Sequence, residues 1–171
     1  GADSLQSPTN TTLAPATWEP LAFEGDLPAA RLGSSLAATA DNGEFLLFGG
    51  WGGGSDYFAD IWSLDSAGAA WTLLEPVGTS PPPRAAQATA YDPVTDRLVV
   101  FGGYDGQSYF DDTWAYELAT GTWTELQPSG ARPGSRMGHS MVSEPESGTM
   151  IMFGGYDGAA QFNDTWPYDP A

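Results

Sequence analysis

The triplet Phe-Gly-Gly recurs three times, opening at Phe48, Phe101 and Phe153 with spacings of 53 and 52 residues. One tryptophan series, Trp62, Trp114 and Trp166, repeats at 52 and 52; a second, Trp18, Trp71 and Trp123, at 53 and 52; and Arg31, Arg84 and Arg136 at 53 and 52. Residues 101–117 and 153–169 share 11 identities in 17 positions. Four series in one register restrict the chain to copies of one supersecondary unit, each burying its apolar surface against its neighbours.

Each unit reads as four short strands. Strand a is small and apolar, at Ser35–Ala40, Ala86–Tyr91 and His139–Ser143. A turn follows, at Asp41-Asn42-Gly43, Asp92-Pro93 or Glu144–Gly148, where Asp and Glu side chains can bond the local backbone. Strand b runs apolar without interruption into the double glycine, at Glu44–Phe48, Arg97–Phe101 and Thr149–Phe153. Such runs predict strands buried on both faces. Strand c surrounds its Trp, at Ile61–Leu64, Thr113–Glu117 and Thr165–Tyr168; strand d follows at Ala70–Leu74 and Thr122–Leu126. A Pro- and Gly-rich return loop ends at the repeated Arg.

The double Gly after strand b, the Trp after an acidic residue in strand c, the strand d Trp and the stretch Arg136-Met137-Gly138-His139-Ser140 resemble the kelch repeat. The resemblance covers roughly residues 17–170 and implies an all-β fold of kelch-type β-propeller blades, similar to secreted kelch modules and the central domain of galactose oxidase. It implies little about function, because one fold hosts many functions.

The strand order predicted for the chain is d-abcd-abcd-abc. Residues 1–16 form a Ser/Thr/Pro-rich leader; 17–30 hold an isolated strand d that completes a last blade; 31–83 and 84–135 are whole blades; 136–171 supply strands a to c of the last. Propellers carry roughly four to eight blades, so three leave apolar faces to cover. Other copies of the chain are the first expected partner, as a six-bladed ring of two chains closed by exchanged strands. The alternatives are a segment of a longer propeller and an open head-to-tail array, which would make the chain a filament subunit.

Several side chains are candidates for chemistry. Arg31, Arg84 and Arg136 would form a basic ring able to hold an anion, or else structural ion pairs with Asp60, Asp112 and Asp164, which share their period; the ion pairs are the favoured reading. His139, the single histidine, lies near the position where other units carry Ser35 and Gln87, and is expected to be packed and hydrogen-bonded rather than catalytic. Loop carboxylates, among them Asp105 and Asp157, suit turns first and a calcium ion second. Phe58, Phe110 and Phe162 should plug each loop onto its blade, and Trp51, Tyr104 and Tyr156 share one register after the double Gly. Tyr57 and Tyr109 remain as the better contact residues for a protein or carbohydrate ligand. No P-loop, dinucleotide fingerprint, nucleophile elbow or His-Glu-x-x-His sequence is present.

Composition narrows the partners. Among 171 residues there are 22 acidic side chains against five Arg and no Lys, for a formal net charge of −17. Such a surface repels nucleic acid and anionic membrane. No apolar run approaches the ~18 residues of a membrane span. The absence of cysteine removes thiolate chemistry and Cys-based zinc sites. Two Asn-x-Ser/Thr sequons, at Asn10 and Asn163, the leader and the resemblance to secreted modules lead to the expectation of a secreted glycoprotein. The function expected is a non-catalytic kelch module for binding or structural assembly, with a fragment of a secreted sugar-acting enzyme as the alternative.

Overall fold

The computed structural model describes residues 16–39, 43–65, 67 and 69–170. Three antiparallel sheets follow one another along the chain. The first contains β1 (Ser35–Ala38), β2 (Glu44–Gly53), β3 (Asp56–Asp65) and β4 (Ala70–Leu74). The second contains β5 (Ala88–Asp92), β6 (Arg97–Phe101), β7 (Thr113–Glu117) and β8 (Thr122–Leu126). The third has β9 (Ser140–Ser143), β10 (Met150–Phe153) and β11 (Thr165–Tyr168). Each is a simple meander, with strands paired in sequence order.

The strands fall where the repeat puts them, and the sheets stack so that β1 meets β5 and β5 meets β9. Leu46 and Phe48 of β2 pack with Leu98, Val100, Trp114, Tyr116 and Trp123 between the first two sheets. Ala90, Val99 and Met150 fill the second interface, with Met141 and Tyr168 against them. β6 is buried on both faces, as its unbroken apolar run predicts.

One expectation is corrected, and the strand d expected over residues 17–22 finds no partner edge within the described chain. β10 is not buried on both faces: Met150 and Met152 are buried toward the second sheet, whereas Ile151 and Phe153 are exposed, because among the described residues the third sheet is packed on one side only. Residues 17–22 join no sheet, and Trp18 is wholly exposed. A lone strand cannot satisfy its ladder without a partner edge, and within the chain Phe23 instead packs on Trp71 of β4, ring centroids 6.2 Å apart. The order described is therefore abcd-abcd-abc. The leader through residue 15 and the Asp41-Asn42 turn lie outside the described residues.

The double glycine explains how neighbouring sheets approach. Gly49 and Gly102 have φ of +66°, and a Cβ on them would lie 2.7 Å from the Arg84 carbonyl oxygen and 2.6 Å from that of Arg136. Beside them the Gly50 N–H donates to the Arg84 carbonyl at 2.8 Å and the Gly103 N–H to that of Arg136 at 2.9 Å. Each glycine pair thus lets one blade's backbone be hydrogen-bonded to the next.

Candidate functional site

Arg84 and Arg136 are the largest fully buried side chains among the described residues. Arg84 donates from Nη1 to Asp112 Oδ1 at 2.6 Å and from Nη2 to Oδ2 at 2.8 Å. Its Nη1 also donates to the Gly102 carbonyl and its Nε to that of Pro82. Its guanidinium lies 4.1 Å from the centre of the Phe110 ring. Trp114 Nε1 donates to Asp112 Oδ2 at 2.7 Å, completing the carboxylate's shell. The same cluster recurs as Arg31–Asp60–Phe58–Trp62 and Arg136–Asp164–Phe162–Trp166, each with its cation 4.1 Å from the ring. Bidentate pairing plus ring stacking is the geometry for which Arg, not Lys, is suited. The arginines are therefore placed inside the blades, and they offer no cationic ring to a ligand.

At the b–c loops the structure assembles an aromatic ladder across all three sheets. Trp51 to Tyr57, Tyr57 to Tyr104, Tyr104 to Tyr109 and Tyr109 to Tyr156 lie 6.4, 6.3, 4.6 and 6.1 Å apart between ring centres. All five rings are half-exposed. Tyr57 and Tyr109 are the links between blades. The turn at Gly106 rests on the Tyr57 ring and that at Gly158 on Tyr109, where an added Cβ would sit 3.0 and 2.8 Å from the ring carbons. Isolated bridges, Leu32 with Trp51, Ala85 with Tyr104 and Met137 with Tyr156, fix the other three.

Asp105 and Asp157 flank the ladder on its turns. Asp105 Oδ1 accepts the N–H groups of Gln107 and Ser108, and Asp157 Oδ1 those of Ala159 and Ala160. These are turn carboxylates, and among the described residues no group of three or more His, Cys, Asp or Glu is arranged to hold a metal ion. Their charge is felt locally. The Tyr57 hydroxyl is pushed above the ordinary phenol range by desolvation, then by Tyr104 and Asp105, and that of Tyr109 by desolvation, then Tyr156, Tyr104 and Asp157.

His139 is packed edge-on against Phe101, centroids 5.5 Å apart. The expected hydrogen bond is not made: neither ring nitrogen has a partner of normal geometry, although the nearby Phe101 carbonyl favours its protonated form. Its counterpart Gln87 does bond, donating to the Phe48 carbonyl at 2.8 Å and the Ser35 hydroxyl at 3.0 Å. Asn163 is exposed beside the paired Asp164, and Asn10 lies outside the described residues.

Sequence reasoning placed the ladder's members in separate loops and missed their adjacency; the shared register after the double Gly was the available signal. It also missed a groove of about 500 Å³ between the return loop after β8 and the free edge of β11, lined in part by Phe101, Leu126, Pro128, Met152, Trp166 and Tyr168.

Two four-stranded meanders and a three-stranded one, stacked through paired glycines and carrying one Arg–Asp pair each, define a module of kelch-type blades. The chain belongs to the kelch-repeat family: residues 9–171 match the KLHDC2/KLHL20/DRC7 Kelch-repeats domain. It is similar to the dynein alpha chain of the flagellar outer arm from Chlamydomonas reinhardtii, 34% identical over 87% of this chain and 3% of that protein. It is also similar to acyl-CoA-binding domain-containing protein 4 from Arabidopsis thaliana, 31% identical over 77% of this chain and 19% of that protein. Kelch repeat-containing protein 2 from Saccharomyces cerevisiae is 31% identical over 66% of this chain and 13% of its own length. The chain thus spans less than a fifth of each of these relatives. Kelch-repeat domains are in general binding modules rather than enzymes.

These relatives overturn the expectation of a secreted protein and point to an intracellular setting. The physical reason is that the sequons carried little information. Asn163-Asp164-Thr165 occurs because the blade requires Asp164 for its Arg136 pair and Thr165 to open β11.

Proposed function

We propose that this chain is a non-catalytic protein-binding module whose ligand face is the aromatic ladder, and that the ligand is a basic polypeptide segment lying along it. The observation that carries this reading is the unbroken contact from Trp51 to Tyr156 across three blades. A ladder of half-exposed rings offers successive π faces to Arg or Lys side chains. Asp105 and Asp157 sit on the turns beside these rings, and the net charge of −17 steers a cationic segment toward the surface. Tyr57, Tyr109, Asp105 and Asp157 are its contact residues; Arg31, Arg84 and Arg136 are scaffold.

The test is calorimetric titration with an oligo-arginine peptide against the chain and its Tyr104→Ala and Tyr109→Ala variants. Both substitutions leave the charge unchanged, so diffuse electrostatic attraction would survive them. Loss of cation–π contact should weaken binding by about 5- to 30-fold. Equal affinity for all three proteins discards the reading.

A further inference from the structure

The aromatic ladder differs along its length. Trp51, Tyr104 and Tyr156 hold equivalent positions in the three blades, and the residues that follow them are Gly52, Asp105 and Asp157. The second and third blades therefore set a carboxylate beside the ring, and the first does not. Each carboxylate uses Oδ1 for the N–H groups of its own turn, which leaves Oδ2 for a ligand's guanidinium. Both are half-exposed. The Tyr156 ring is held in place by its hydroxyl, which donates to the Gly158 carbonyl at 2.6 Å.

The spacing of the rings selects a ligand conformation. Steps of 6.3 and 4.6 Å lead from Tyr57 through Tyr104 to Tyr109, and steps of 4.6 and 6.1 Å from Tyr104 through Tyr109 to Tyr156. Equivalent rings on successive blades thus lie at most about 11 Å apart, close to the ~10 Å at which sheets pack face to face. A β-strand returns to one face every second residue, about 6.8 Å, and misses this period. A polyproline II helix returns every third residue, about 9.3 Å, and meets it. An α-helix reaches it only at every second turn, with its carbonyls taken up by its own bonds. Polyproline II leaves every carbonyl free to accept from the tyrosine hydroxyls, and proline rings lie well on aromatic faces.

We infer that the ladder's ligand is a proline-rich polyproline II segment carrying two arginines three residues apart. One arginine lies over Tyr104 beside Asp105, and the other over Tyr156 beside Asp157. A proline three residues further along lies over Trp51, where Gly52 supplies no charge. This rests on the ladder reading and narrows it from any basic polypeptide to one conformation and one charge spacing. Preorganisation favours such a ligand, because proline has already fixed the backbone that binding would otherwise have to order. The carboxylates repeat with the blades, so a second cation placed at any other spacing meets a ring without its charge partner.

Two capped peptides of identical composition and charge test this by titration against the chain. In Pro-Pro-Pro-Arg-Pro-Pro-Arg-Pro-Pro-Pro the arginines are three apart and the sequence reads alike in both directions. In Pro-Pro-Pro-Pro-Arg-Arg-Pro-Pro-Pro-Pro they are adjacent. The first should bind at least about fivefold more tightly. Asp157→Asn keeps an Oδ1 acceptor for its turn and loses the charge, so it should erase that preference while the protein stays folded. Equal binding of the two peptides by the parent chain overturns the inference, as does a preference that persists undiminished in Asp157→Asn. Tighter binding of an Ala-based helical peptide with two arginines seven apart also overturns it, in favour of a helix. Oligo-arginine offers a cation at every position and is indifferent to spacing. Its ladder-dependent binding together with equal binding of the two peptides discards the polyproline II ligand alone, whereas loss of ladder dependence discards the ladder reading itself.

Discussion

Arg84 and Asp112 meet through two parallel hydrogen bonds of 2.6 and 2.8 Å, with the guanidinium fully buried and the carboxylate about four-fifths enclosed. The pair closes the b–c loop onto the start of its own blade, and Phe110 stacks on its cation. Breaking one side leaves the other charge buried and unpaired. Asp112→Asn should therefore cost about 3–5 kcal/mol, read as a lowered urea midpoint. The double replacement Arg84→Met/Asp112→Leu should cost less than the single one, because it leaves no stranded charge.

Acid should destabilise the protein in two steps. Burial first, and the Arg136 charge second, lower His139 from its ordinary 6.5 to about 4. The unfolded chain then binds a proton that the native one refuses. This contribution to stability is complete above the unfolded value and is lost as pH falls from about 6.5 toward 4, amounting to roughly 3 kcal/mol. His139→Gln, which installs the residue present at Gln87, should abolish that slope in chemical denaturation followed against pH. The second step lies lower. Hydrogen bonding from Arg136 holds Asp164 at about 2. At Asp60 and Asp112 burial pulls upward, but the bonds from Arg31 and Arg84 outweigh it and hold both below the ordinary value. Their stabilisation is present above the unfolded carboxylate range and is lost as pH falls from that range through their lowered native values.

Gly102 is a position no side chain can share. With φ at +66° and the Arg136 carbonyl oxygen 2.6 Å from where a Cβ would stand, Gly102→Ala should destabilise by at least about 2 kcal/mol. Gly134→Ala is the matched control, since nothing lies within 4 Å of its Cβ position. Thermal unfolding should show Gly134→Ala within about 1 kcal/mol of the parent.

The two ends of the tryptophan series should behave in opposite ways. Trp123 is buried against Phe48 and Tyr116, so Trp123→Ala should cost about 3–5 kcal/mol. Trp18 is wholly exposed, so Trp18→Ala should leave the unfolding free energy within about 0.5 kcal/mol of the parent.

The sequence was legible wherever a local pattern met its own repeat. β6, β7 and β8 fall at Arg97–Phe101, Thr113–Glu117 and Thr122–Leu126, as read from the unbroken apolar run, the repeated Trp and the turn residues. The Arg–Asp pairs were legible for the same reason, since a common period implies a common partner. Residues 17–22 were not. They carry a strand's pattern, but a strand exists only against an edge, and within the described chain they meet none. The ladder was illegible too, because Tyr57 and Tyr104 are neighbours only once two blades have stacked.

By itself, then, the sequence determined the repeat unit, the place of nearly every strand and the ion pair that anchors each blade, because these follow from periodicity within about fifty residues and its repetition. Only the tertiary structure decided which surfaces stay open: the half-exposed ladder, the outer face of Ile151 and Phe153, and the groove beside β11. The physical reason is that a blade's two faces are alike in sequence. Burial is conferred by the neighbour, and a strand cannot encode whether its neighbour lies in the same molecule or in another.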